Sequence, residues 1–459
     1  MHKERGQSLV LGSVFLATIV MSILYLFNVS QQNLNKTKLQ NSADATVISA
    51  AHLLSRDLNF KAYTNRAMVA NHVAIAQYVG LSSWGNMSEK AGENLANVTS
   101  WIPLVGQITS AVEGVLRAIN QVLQPAMNGA VLATDIVNTG LSISQDLMNS
   151  ATMLAVVETS NDVLEANDNE AYVDIASAVG VGEFLLHDWV NFQGSFDRND
   201  DTGRYQEHFD LITNSVDPFT KNRSFGWGFP FTQTIFPNKV NTRQTGGTEL
   251  FKNGSDAEVW SAMDTLGFHV YFFSCKFTSG CKWRGGEVPA GWGASHAGSD
   301  KNTTNYRSRN YYGRSRGING TASRFAYRNE EDINSSYSGL QSFYDITDTE
   351  QKNVAPMLTL VVSKNKSDIT TSSSLNIGKE NQNSTRLIDI NIEENTKLPR
   401  DKITVLSKAK IYYFRDQSLW RRADSKWEYG NLYNPYWQAT LNETTDSERA
   451  LLTALALAL

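Results

Sequence analysis

The stretch SLVLGSVFLATIVMSILYLF, residues 8–27, runs directly into NVSQQNLNKTKLQNSADATVISAA, residues 28–51. The first part carries no charged side chain. As a helix rising about 1.5 Å per residue it is long enough to cross the ~30 Å hydrocarbon core of a bilayer. The second part keeps the helical spacing of apolar residues but adds polar and charged side chains. We therefore predict a membrane span at residues 8–28 that continues as a water-soluble helix.

The residues around this span predict its orientation. Lys3 and Arg5 precede it and only Glu4 opposes them. Because Lys and Arg stay on the cytoplasmic side, residues 1–7 are expected in the cytoplasm and the bulk of the chain outside it. No small-residue cleavage site follows Phe27, so we expect a retained anchor. The sequence predicts a single-pass membrane protein with most of the chain outside the cytoplasm.

Residues 29–58 predict an amphipathic helix. Apolar side chains recur at steps of three or four residues, which places them on one helix face. These residues are Leu39, Ala43, Val47, Ala50, Leu54 and Leu58. The face has to pack against the chain's own body or against a neighbouring subunit, and the sequence alone leaves both alternatives open.

The composition changes along the remaining chain, and we predict an α+β protein from it. Residues 59–195 are rich in Ala, Val and Leu with helical spacing, and Gln124-Pro125 is expected to end or kink a helix there. Residues 196–445 hold most aromatic residues and several β-branched runs, which predict an irregular β-rich domain. Residues 446–459 are left as a C-terminal tail.

The two cysteines, Cys275 and Cys281, are the only ones in the chain. Outside the cytoplasm such a close pair is expected to form a structural disulfide across a short turn. A redox pair would normally have two intervening residues, and a metal site needs more ligands than two thiols.

A basic and aromatic segment, residues 301–328, is a candidate ligand patch. It contains no acidic residue, and we expect it to be a loop. Arginine and aromatic side chains together bind phosphates, sulfates, sugars or bases through charge and stacking. The segment is thus either a solvated loop or an adhesive patch for an anionic surface, a glycan or extracellular DNA. The candidate residues are Arg307, Arg309, Tyr311, Tyr312, Arg314 and Arg316.

The sequence offers no motif that predicts an enzyme. We find no phosphate-binding loop, zinc-protease helix or EF-hand loop, and the histidines show no ligand spacing. Residues 293–297, GASHA, are similar to a nucleophile elbow but end in Ala, and a glycine-rich surface loop explains them better. We expect no cofactor, no metal and no small-molecule substrate. The net charge of −5 also argues against a chain that binds nucleic acid over its whole surface.

The N-terminal segment resembles the Tad domain of TadE/TadG-like proteins, which belong to tight-adherence (Flp) pilus assembly. The family's motif before the membrane span matches at Arg5, Gly6 and Gln7. Its signature after the span matches at Leu39, Gln40, Ala43, Asp44 and Ala45. Ser42, Thr46 and Val47 replace the usual Ala but are similar in size. The resemblance covers residues 4–52, and the large body favours a TadG-like protein.

This resemblance implies a non-enzymatic structural or assembly component, anchored in a bacterial inner membrane with the bulk of the chain periplasmic. Its expected partners are the membrane and other pilus-assembly proteins. The small residues of the signature allow close helix packing, and Gln40 and Asp44 lie one turn apart. Type IV pilins carry a Glu five residues after their cleavage site, where this chain has Leu11, so the helix is expected to anchor the protein. The alternative function is an envelope-anchored adhesin or binding module that uses residues 301–328.

Overall fold

Two long helices make up the N-terminal part of the chain. Helix α1 spans Arg5–Thr99 and helix α2 spans Val105–Asn167, separated by a short turn. The amphipathic helix predicted at residues 29–58 is therefore part of a much longer helix. Pro125 lies inside α2, so the helix does not end there, and the alternative that it kinks the helix stays a prediction. A proline in a helix interior carries a local cost of roughly 3 kcal/mol, which the rest of this long helix tolerates.

Close packing accounts for a glycine in the middle of α1, at Gly85. A Cβ atom placed on Gly85 would lie 2.5 Å from the side-chain oxygen of Asn120 and 2.7 Å from Leu123 Cδ2. Glycine costs a helix about 1 kcal/mol relative to alanine. Here it leaves room for the side chains of Asn120 and Leu123 of α2, which a larger residue would displace.

The structure is a computed structural model that describes residues 5–228, 232–253, 256–276, 280–298, 315, 317–347, 353–371, 402–416, 418–419, 424, 426–448 and 450. After α2 come β1 (Ala171–Val173), α3 (Ile175–Glu183), a π-helical turn (Phe184–Asp188), α4 (Trp189–Phe192), β2 (Gln193–Phe196), α5 (Arg204–Ser215) and α6 (Pro218–Lys221). Then follow β3 (Phe225–Trp227), β4 (Gln233–Ile235), β5 (Asn238–Asn253), β6 (Asp256–Lys276), β7 (Gly280–Ala297) and α7 (Gly320–Arg328). The last elements are β8 (Glu331–Asn334), β9 (Phe343–Ile346), β10 (Leu358–Asn365), a 3-10 turn (Lys366–Asp368), β11 (Lys402–Tyr413) and β12 (Trp437–Leu441). The predicted α+β class is confirmed.

The chain forms two compact units that are each discontinuous in sequence. Unit 1 comprises residues 1–62, 147–194 and 346–459, and unit 2 comprises residues 63–146 and 195–345. Each unit therefore contains part of α1 and part of α2. The domain ranges given above were predicted from composition and stay a prediction.

Unit 1 contains an antiparallel four-stranded sheet in the order β1-β10-β11-β12. In β11 the buried side chains alternate with partly exposed ones, which is typical of a sheet with one face in a core. Val405 pairs with Val362, and Ile411 pairs with Ala439. Strand β12 pairs with the C-terminal end of β11, from Tyr413–Trp437 to Ala409–Leu441.

Unit 2 contains a larger sheet in the order β3-β5-β6-β7-β8, with β4 also paired to β5. Its centre is an antiparallel meander of the long strands β5, β6 and β7, and β8 joins β7 in parallel. Met263, Ala294 and Ala326 form a buried cluster between this sheet and α7. Cys275 and Cys281 lie opposite each other at the end of the β6–β7 hairpin and form the predicted disulfide.

Residues 293–297 lie in β7 and their side chains are buried, so the prediction of a surface loop is wrong. The glycine serves close packing against α1. A Cβ atom on Gly293 would lie 2.2 Å from the carbonyl oxygen of Ser83 and 2.6 Å from the amide nitrogen of Met87. No substituent fits between strand and helix at this point.

Within unit 2, α1 and α2 are joined by a row of amide and hydroxyl side chains. Gln145 Nε2 lies 2.7 Å from Asn65 Oδ1, Asn71 Nδ2 lies 2.8 Å from Asn138 Oδ1, and Gln124 Nε2 lies 2.9 Å from Asn86 Oδ1. Buried polar groups are tolerated when each finds a hydrogen-bond partner. The helices therefore face each other through hydrogen bonds whose geometry fixes their register.

Two buried histidines belong to unit 2. Burial lowers the pKa of His72 to about 3, although a hydrogen bond with Gln341 opposes this shift. Burial lowers the pKa of His208 to about 3 as well, and repulsion from His72 adds to the effect. His208 stacks on Phe343 with ring centroids 4.0 Å apart. Both imidazoles are therefore neutral in the folded protein at pH 7.

We expect Gly293→Ala to destabilise unit 2 by more than 3 kcal/mol, because the methyl group collides with the backbone of α1. Gly286→Ala is a matched control in the same strand, since nothing lies within 4 Å of a Cβ atom there. Denaturant unfolding of both full-length variants in detergent measures the difference. Equal stability of the two variants would contradict the close approach.

The buried histidines predict that unit 2 loses stability as the pH falls from 7.5 to 5. The unfolded chain takes up a proton near pH 6.5 and the folded chain only near pH 3, so stability is complete above about pH 7 and falls below 6.5. Each histidine should cost about 2 kcal/mol at pH 5. Hydrogen exchange of the full chain measures the loss, and His72→Gln should remove about half of it. A loss of the same size in that variant would count against this assignment.

Candidate functional site: the membrane-proximal part of helix α1

The N-terminal part of α1 is suited to a lipid environment. It contains an 18-residue window of mean hydropathy 2.4, none of which is buried in the protein. The hydroxyl groups of Ser13, Thr18 and Ser22 each donate a hydrogen bond to a carbonyl three or four residues earlier, at 2.7–2.8 Å. Since lipid offers no partner for a polar group, these bonds remove the cost of placing hydroxyls in the span.

The signature residues that follow lie against strand β11 of unit 1. Gln40 Nε2 donates to Asp44 Oδ1 at 2.8 Å and to the carbonyl oxygen of Leu406 at 3.2 Å. The hydroxyl of Ser407 donates to the same Asp44 oxygen at 2.5 Å. The predicted proximity of Gln40 and Asp44 is confirmed, and the two side chains connect the helix to the sheet.

The predicted apolar face of the amphipathic helix is buried within the chain. Its six residues are at most 1 % exposed, and Ala51 beside them is fully buried. The hydroxyls of Ser42 and Thr46, which replace alanines of the family pattern, donate to the carbonyl oxygens of Lys38 and Ser42. Of the two alternatives left open by the sequence, packing against the chain's own body is therefore the one observed.

A carboxylate of unit 1 connects α1 to the sheet by charge. Asp168 lies 3.3 Å from Lys38 Nζ on α1 and 3.0 Å from Lys364 Nζ on β10. Partial burial would raise the pKa of Asp168, but the two ammonium groups outweigh it and hold that pKa below its usual value. The carboxylate stays ionised and pairs with both cations.

A second, fully buried cluster closes the part of α1 that belongs to unit 1. Lys61 Nζ lies 2.7 Å from Asp57, 2.8 Å from the side chain of Asn149 and 2.8 Å from that of Gln193. These three acceptors match the three protons of the ammonium group. The cluster could not be predicted from the sequence, because an Asp and a Lys four residues apart normally form an exposed helix pair.

The candidate ligand patch Arg307, Arg309, Tyr311, Tyr312, Arg314 and Arg316 lies outside the described residues, so it stays a prediction. The end of the same segment is helix α7, and the prediction of a loop is wrong there. The Glu287 carboxylate accepts hydrogen bonds from the amides of Thr321 and Ala322, which stabilises the helix N-terminus. Phe325 packs on Trp292 with ring centroids 5.0 Å apart, so it serves the core.

Arg5, Gly6 and Gln7 form the first turn of α1, and their side chains lie outside the described residues. A match to a known protein family nevertheless begins within this first turn. Residues 6–53 match a family model described as putative Flp pilus-assembly TadE/G-like. The predicted resemblance is confirmed for this N-terminal segment. No curated protein and no solved structure matches the chain.

We expect Lys61→Met to destabilise unit 1 by about 3–5 kcal/mol, because it leaves the Asp57 carboxylate buried without its cation. The double variant Asp57→Leu/Lys61→Met should recover most of this loss. Lys36→Met, an exposed position on the same helix, is the matched control and should change stability by about 0.5 kcal/mol or less. Chemical denaturation of the full-length variants checks the series, and a stable single variant would contradict the ion pair.

Proposed function

We propose that this chain is a membrane-anchored, non-enzymatic structural component of a Flp pilus assembly apparatus. The observation that carries the proposal is the match of residues 6–53 to the TadE/G-like family. The exposed apolar span of α1 supports the anchoring role. The pilus-assembly context comes from the family, whereas the particular role within it is our proposal.

The charge distribution around the span supports an inner-membrane protein with its N-terminus in the cytoplasm. Lys3 and Arg5 stand before the span, and cationic residues next to a span remain on the cytoplasmic side. In this orientation units 1 and 2 lie in the periplasm. The Cys275–Cys281 disulfide supports the same placement, since disulfides persist in oxidising compartments.

The packing of the signature residues supports an anchor that holds a folded body close to the membrane. Leu39, Ala43 and Val47 are buried within the chain, so they are occupied before any partner binds. In this role α1 transmits the position of the span to the sheet of unit 1. Partners would bind other surfaces of the protein.

We expect deletion of the gene to abolish or strongly reduce Flp pili on the cell surface, with restoration by the wild-type chain. Electron microscopy and immunoblotting of sheared pili measure the effect. The chain itself should stay with the membrane fraction after alkaline extraction. Its recovery from sheared pili in amounts comparable to the pilin would show that it polymerises, and would contradict the anchoring role.

The anchoring role also predicts that Leu16→Lys/Val20→Lys releases the chain from the membrane. Each lysine at the centre of a span costs about 2.5–3.5 kcal/mol. Asn33→Lys, an exposed position beyond the span, is the matched control and should leave the protein anchored. Alkaline extraction and immunoblotting compare the two. Release of both variants or of neither would contradict the assigned span.

A further inference from the structure

Helix α2 carries an exposed apolar seam along the part that belongs to unit 2. The residues of this seam follow one another at alternating steps of three and four along the sequence, without interruption. Each of these residues is exposed. The outer seam consists of Val105, Ile108, Val112, Val115, Ile119, Val122, Ala126, Gly129, Ala133, Ile136, Gly140 and Ile143. A strict alternation of this kind is the repeat of a left-handed coiled coil. The same spacing continues in the sequence at Leu147, Leu154 and Val157, which are also exposed.

The outer seam is too large to be an ordinary solvent-facing surface. Its eight Val and Ile side chains are each 42–71 % exposed. Together they present roughly 750 Å², above the ~300–600 Å² of the largest apolar patch on a typical monomer. A stable interface of standard size buries about 800 Å² on each partner, so this face alone nearly suffices.

The polarity of α2 differs from that of an ordinary surface helix. The face that packs on α1 carries Asn120, Gln124, Asn138 and Gln145, all hydrogen-bonded to α1 side chains. The α1-facing side also includes apolar residues such as the buried Val131, but the continuous apolar row lies on the opposite face, toward the outside. A soluble helix normally buries its apolar stripe and exposes its polar one. This arrangement is stable in water only if the outer seam is covered as well.

Two glycines provide an independent observation. Gly129 and Gly140 lie on the outer seam, and nothing in the described chain lies within 4 Å of a Cβ atom placed on either. Each costs the helix about 1 kcal/mol relative to alanine without serving the packing of its own chain. Close approach of another helix at the seam accounts for both.

The flanks of the seam indicate what covers it. Between Val105 and Ile143 the charged residues of α2 are Glu113, Arg117 and Asp135, and none lies on the seam or beside it. Glu113 pairs with Arg117, and Asp135 binds Ser338. Helices that lie on anionic membranes need several cations on their polar face, which α2 does not have. Uncharged flanks impose no repulsion between two identical helices.

We propose that the outer seam of α2 binds the same seam of a second copy of this chain, as a parallel, in-register coiled coil. The parallel arrangement is part of the proposal and rests on the proposed membrane anchoring, under which copies are inserted in one direction and related by an axis along the membrane normal. Confinement to one membrane also raises the effective concentration of the two seams for each other. The assembly is thus a homodimer, with small residues at its centre where the helices approach most closely.

Cysteine cross-linking of the full chain in native membranes tests the pairing. The two native cysteines form a disulfide with each other, so one introduced cysteine supplies the free thiol. Val122→Cys, on the seam, should give at least tenfold more oxidised dimer than Gln121→Cys, which is exposed on the same helix but off the seam. Equal yields at both positions, or an adduct of another mass, would overturn the proposal.

A pair of glycine variants tests the close approach. Gly129→Leu should lower the dimer fraction at least tenfold, because a large side chain separates the helices. Gly114→Leu, off the seam and equally open, should change it less than twofold. Light scattering of the detergent-solubilised full chain measures the mass. Gly129→Leu with an unchanged dimer fraction would overturn the proposal.

The same membranes separate this inference from the proposed function. A chain that resists alkaline extraction and supports pili, but gives no Val122→Cys dimer, would overturn the dimer alone. A Val122→Cys thiol that reacts with a water-soluble maleimide only after detergent is added, without any dimer, would show that lipid covers the seam. A dimer in cells whose pili do not depend on the chain would support the dimer and overturn the proposed function.

Discussion

The continuous backbone hydrogen bonding of α1 is the constraint on which the rest of the structure depends. Because the helix has no break between Arg5 and Thr99, each turn satisfies its own peptide groups wherever it lies. Only the side chains then decide what surrounds a given turn. The helix is apolar and exposed up to Phe27, buries an apolar face from Leu39 to Leu58, and farther along bonds to α2 through amides.

Buried charge fixes the position of α1 within each unit. In unit 1, Lys61 of α1 is held by Asp57 and by neutral side chains of α2 and β2. In unit 2, the hydroxyl of Ser83 joins a buried bidentate pair between Arg223 and Asp264, with contacts of 2.8–2.9 Å. Such pairs add little net stability, because removing two charges from water is costly. A displaced helix would leave them unpaired, so they penalise every other arrangement.

The sequence predicted those features that depend on local pattern. The span, the buried face from Leu39 to Leu58, the α+β class and the Cys275–Cys281 disulfide each follow from composition or spacing within a short window. The features it did not predict depend on residues distant in the chain. Pro125 continues a helix, Gly293 lies in a buried strand, and Lys61 is buried. The last two follow from packing that a local window does not contain. Tertiary context overrides local preference at these positions.

The unbroken helix between the span and the sheet of unit 1 also makes the two mechanically rigid with respect to each other. A helix turns by about 100° per residue, so the face that meets β11 at Gln40 and Asp44 has a fixed angle to every face of the span. Rotation of the span about its own axis must therefore rotate the sheet through the same angle. A torque applied to the span within the bilayer would therefore reach the sheet of unit 1 through the backbone of α1 and the contacts at Gln40 and Asp44.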